Sequence, residues 1–171
     1  GGGHHRTPYT WDKERVSSYI RYVDTDNQSH WLFDSFLFLE IMDTGTGGAN
    51  KMFAKGYNLE SANQADWTKL IDYYFQSETG IGALDASVKE ASAILGTPRQ
   101  KRQIVISIPE PIVYQHPEQA SSSTKYWGKI DNQTLDFSNS ADRIKACKWY
   151  IDQVRAKFNE KNYHCLLYTS D

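Results

Sequence analysis

The chain has 171 residues, of which 39% are apolar and 13% aromatic, and its formal net charge is −2. That length fits one domain with a sizeable core. The weak net charge excludes the broad basic field of a nucleic-acid binder, and no apolar run reaches the length of a membrane span.

Gly1-Gly2-Gly3-His4-His5 reads as a tag remnant, so residues 1–8 are taken as an artificial or disordered start. The first helix is expected over 10–22. Thr10 can cap it, Asp12 and Glu14 suit its first turn, and Val16, Tyr19, Ile20 and Val23 form an apolar stripe. A polar turn over 24–30 follows. Residues 31–41, Trp-Leu-Phe-Asp-Ser-Phe-Leu-Phe-Leu-Glu-Ile, are too apolar for a strand with one wet face, and a buried strand is expected at about 35–41. Alternation puts Asp34, Phe36, Phe38 and Glu40 on one face of it. The segment 42–65 reads as a long loop with glycines at 45, 47, 48 and 56, which Met52, Phe53 and Tyr57 can pin.

Helices are expected at about 64–77, with Trp67, Leu70, Ile71, Tyr74 and Phe75 on one side, and at about 81–95, stopped by Gly96 and Pro98. Arg99-Gln100-Lys101-Arg102 is a basic turn ahead of the second clear strand, 103–108. That strand leads into Pro109-Glu110-Pro111, where the prolines forbid both helix and ladder. Residues 114–140 look polar and irregular. A last helix over 140–160 buries Ile144, Cys147, Ile151, Val154 and Phe158, and a further strand starts at 162–167. Cys147 and Cys165 lack the spacing of a zinc or redox motif. Gly45-Thr46-Gly47-Gly48 lacks the spacing of a dinucleotide loop. No cofactor and no metal are therefore expected.

Strands separated by helices imply a mostly parallel sheet, and the long loops fall after the strands. The expected fold class is α/β: a partial (β/α), TIM-like barrel, whose working face is built from the loops that follow the strands. A doubly wound sheet is the alternative.

Several stretches resemble the bacterial DUF4855 family. They are Trp31 to Glu40, Ala83-Leu84-Asp85-Ala86, Leu95-Gly96-Thr97-Pro98, Ile104 to Pro111, Trp127-Gly128, Leu135-Asp136-Phe137 and Asp142 to Asp152, in the family's order over roughly residues 9–165. The resemblance implies a carbohydrate-associated protein on a glycoside-hydrolase-like barrel, secreted or at the cell surface. It also implies a strand ahead of His4 and a glutamate beyond the Tyr163 strand. The expectation is therefore an internal fragment of about half a barrel at 9–165, with an atypical tail at 166–171.

Glycoside hydrolysis needs two carboxyl groups, one donating a proton and the other acting as nucleophile or activating water. Glu40, at the carboxyl end of the first strand, is the first catalytic candidate. Glu110, held between two prolines, is the second, although the resembling family commonly carries Tyr there. Asp34 and Glu40 share a face but stand about 20 Å apart in a regular strand, so they are no pair. Asp43, Tyr114, His116 and Trp127 are the substrate-binding candidates, the aromatic ones as stacking surfaces for sugar rings. His30, Trp31 and Asp34 lie at the opposite end of the strand and suit surface, packing and structural roles. Asp142 and Arg143 suit a helix start. The function expected is a glycan-active, hydrolase-like domain. The alternative is a non-catalytic carbohydrate-binding or structural cell-surface protein on a degenerate barrel.

Overall fold

A computed structural model of the chain describes residues 10–43, 51–56, 59–113, 127–163 and 166–168. It divides into two compact units. Among the described residues one comprises Thr10–Phe38, Asp72–Ile106 and those from Ala156 on, and the other those within Leu39–Ile71 and Ser107–Arg155.

The first of these units is organised by a parallel sheet. Helix α1 (Lys13–Ile20) begins at Asp12, whose side chain accepts from the Arg15 amide at 3.0 Å, and it buries Val16 and Ile20. The chain then forms an antiparallel hairpin, β1 (Arg21–Val23) with β2 (Ser29–Trp31), in which Tyr22 faces His30. The stretch 24–30, expected as a polar turn, is the tip and returning strand of this hairpin. Its tip turns on Asn27, at φ 59°. Strand β3 (Ser35–Phe38) pairs in parallel with β7 (Arg102–Ile106), with Phe36 beside Ile104 and Leu37 beside Val105. Strand β10 (Leu166–Tyr168) flanks β7 on its other side, again in parallel, so the sheet order is β10-β7-β3.

Between β3 and β7 lie α2 (Gln64–Tyr74) and α3 (Gly80–Leu95), and between β7 and β10 lies α4 (Ser140–Lys161). Parallel strands thus alternate with helices in an α/β fold, and each crossover steps to the neighbouring position in the sheet. Among the described residues no sheet closes into a barrel. One face of the sheet is packed: Ile104 is fully buried, and Phe38 meets the Tyr74 ring edge-on at 5.5 Å. The other face carries Leu37, 63% exposed, beside Val105, 44% exposed.

The second unit contains a small mixed sheet and an aromatic core. Strands β4 (Met42–Asp43) and β5 (Lys51–Met52) are antiparallel, and β6 (Glu60–Ser61) runs parallel to β5. Met42 and Met52 face one another in register and form a core with Ile112, against which Leu59 packs. The expected long loop 42–65 therefore carries a sheet, and Met52 and Phe53 are buried pins as their apolar character implied. Tyr57 lies outside the described residues.

Residues 127–135 form a second hairpin, β8 (Gly128–Ile130) with β9 (Gln133–Leu135). It turns on Asp131 and Asn132 at φ 50° and 63°, and two consecutive positive φ values match the twist of flanking strands. This hairpin docks on the start of α2. The Gln64 side-chain amide donates to the Lys129 carbonyl and accepts from the Lys129 amide, both at 2.9 Å, like a strand residue in a ladder. Trp67 lies in the middle of the core, its ring 5.0 Å from Trp127 and 5.7 Å from Tyr150, and Trp127 stacks on Phe137 at 5.5 Å.

Candidate functional site at the strand exits

Glu40 stands two residues beyond the last paired residue of β3 and is partly buried. The carbonyl of the next residue, Ile41, accepts from the amides of Phe53 at 2.8 Å and Ala54 at 3.2 Å. On its other side the Phe53 carbonyl accepts from the Glu110 amide at 2.7 Å. Phe53 is thus bonded through both backbone groups, to the segment leaving β3 and to the segment leaving β7. Pro109 and Pro111 cannot donate a hydrogen bond, so Glu110 is the residue of that Pro-Glu-Pro run able to make this contact. Its side chain adds a second one, in which Oε2 accepts from the Lys55 amide at 2.6 Å. Glu40 and Glu110 therefore belong to one neighbourhood, joined through the backbone of residues 53–55.

Asp43 on β4 stands in register with Lys51 on β5, and Lys51 with Glu60 on β6. The Lys51 ammonium, only 14% exposed, lies 2.7 Å from Glu60 and 3.7 Å from Asp66. Asp66 also accepts from the Asn63 amide at 3.0 Å while the Asn63 side chain accepts from the Asp66 amide at 3.1 Å, a reciprocal cap at the start of α2. Tyr114 and His116 lie outside the described residues. Trp127 is 1% exposed, its ring enclosed by Trp67, Phe137 and Trp149.

At the amino ends of the strands the residues are tied to one another. His30 Nε2 lies 2.6 Å from Asp24, and its ring stacks on Tyr22. Asp34 accepts from the Gln100 side chain at 3.0 Å. Trp31 lies under the Arg102 guanidinium, 4.5 Å from the ring centroid. Arg102 is 4% exposed, and its burial lowers its pKa, against a smaller opposing effect of Asp34. The expected basic turn 99–102 thus ends in a buried arginine. Sequence offered one signal for this, a strand starting directly after it. In α4, Asp142 accepts from the Asp136 amide and Arg143 donates to the Phe137 carbonyl, as suits a helix start. Burial pushes the Cys147 thiol up, away from reactivity. Among the described residues no three His, Cys, Asp or Glu side chains gather as a metal set, and no helix is long and apolar enough to cross a membrane.

The chain belongs to the family described as "Domain of unknown function (DUF4855)", whose model matches residues 1–169. No curated protein and no solved structure matches it.

Proposed function

We propose that this member of the family is a glycan-active domain, with its site at the carboxyl ends of β3 and β7 and its parallel sheet forming part of a (β/α) barrel. The observation that carries this is the placement of Glu40, a partly buried acid just beyond a parallel strand, tied by way of Phe53 to a second acidic exit at Glu110. In α/β folds that end of the strands is where ligands bind.

Glu40 is the acid that exchanges a proton with a glycosidic oxygen. Asp43, Tyr114 and His116, from the segments that follow the same two strands, supply contacts to sugar hydroxyls and rings. Glu110 enters through the backbone it holds. A glycan partner suits a protein that is secreted or displayed at the cell surface.

The test is a panel of polysaccharides and oligosaccharides incubated with the wild-type chain and with Glu40→Gln, read for binding and for released reducing ends. Release by the wild type, falling at least a hundredfold in Glu40→Gln with binding kept, supports a hydrolase. Binding without release supports the non-catalytic carbohydrate binder. Absence of binding across the panel overturns both.

A further inference from the structure

The segment Phe53–Lys55 is held on both sides, by Ile41 in the segment that follows β3 and by Glu110 in the segment that follows β7. Its inner end is fixed by burial, since Met52 is fully buried and Phe53 is 5% exposed. Phe53 and Ala54 donate to the Ile41 carbonyl, next to Glu40. Its outer end, Lys55, is exposed and is followed by Gly56 at φ 118°, a backbone conformation that favours glycine. The Lys55 amide donates to the Glu110 carboxylate at 2.6 Å, a short charge-assisted contact. Glu110 is itself constrained, because a residue that precedes proline is confined to extended backbone. Its amide is bound to the Phe53 carbonyl.

We propose that Glu110 is a positioning residue that latches the 53–55 strap between the segments leaving β3 and β7 and thereby fixes the backbone beside Glu40. The carboxylate holds the strap's exposed end, and the Glu110 amide holds its centre. Loss of the carboxylate frees the Lys55 amide first. Phe53 and Ala54 loosen less, because burial retains them. This latch deepens the glycan-site proposal, but it is tested without any glycan, so the two stand or fall separately.

The experiment is amide hydrogen exchange, residue by residue, on the whole chain as wild type, Glu110→Ala, Glu110→Gln and Glu110→Asp. In Glu110→Ala the Lys55 amide is expected to exchange at least tenfold faster, with a smaller rise at Phe53 and Ala54 and none in α3. Glu110→Gln, which keeps an acceptor at the same reach, restores most of the protection. Glu110→Asp, one methylene shorter, behaves like the alanine variant and decides the matter should Glu110→Ala fail to fold. Lys55 exchange within twofold of wild type in the alanine or aspartate variant overturns the latch. So does equal loss of protection in the glutamine variant.

Discussion

Asp24 shows how much local order one exposed carboxylate can impose. Its Oδ1 accepts from the amides of Asp26 at 2.9 Å and Gln28 at 2.8 Å, and its Oδ2 lies 2.6 Å from His30. The Gln28 amide, followed by the His30 side chain, holds the Asp24 carboxyl below its usual range. A carboxylate with a depressed folded pKa adds stability above its unfolded pKa, about 4, and loses it as pH falls through the folded value. Asp24 therefore helps hold the β1–β2 tip at neutral pH, and this contribution is lost as pH falls below about 4. A pH titration followed on the Gln28 and Asp26 amide resonances should show them move together in that acid window while the α3 amides stay fixed. Resonances that hold still down to pH 2 would contradict this. Arg102 is the opposite case, a charge kept in the interior by the Trp31 ring and by a contact to the Gln100 carbonyl at 3.4 Å.

Elements with many residues were legible in the sequence, and elements with few were not. Among the described residues the four helices follow in span from apolar runs and stop signals, to within a few residues at each end, but two stripes need correction. Val23 lies in β1 and is 53% exposed. In α4 Ile144 is 56% exposed while Ala146 and Tyr150 join Val154 on the buried face, because the helix packs through a face rotated from the expected one. β3 and β7 follow from their apolar runs. β4, β5 and β6 have two residues each, too short to show a period of two, and they vanished into an expected loop. The β8–β9 hairpin is marked in the sequence by the Asp131-Asn132 pair, whose side chains tolerate positive φ. Gln64 binds the hairpin edge through its side-chain amide. Gly128 makes that approach possible, since a Cβ there would collide with the Gln64 side chain. Gly128→Ala is expected to cost about 1–3 kcal/mol in urea unfolding and to free the Lys129 amide to exchange. A change below about 0.5 kcal/mol would mean that the hairpin accommodates a side chain there.

For the whole molecule, composition and element order conveyed the α/β class and parallel pairing, because both depend on sums over many residues. The exposed face with Leu37 and Val105 is unusual for parallel strands, which ordinarily bury both faces, and it corrects the expectation of a strand at 35–41 too apolar to have a wet face. The site was legible only in part. Glu40 and Glu110 are marked by strand ends and prolines. The strap that joins them depends on hydrogen bonds between segments far apart in the chain, which no local pattern encodes. The most direct measurement of where the molecule works is backbone amide shift mapping during titration with the glycan that binds best. Shifts are expected at residues 39–43, 51–56 and 107–113, at the carboxyl ends of β3 and β7. Shifts confined to residues 29–34 and 99–103, at the amino ends of the same strands, would contradict the assignment.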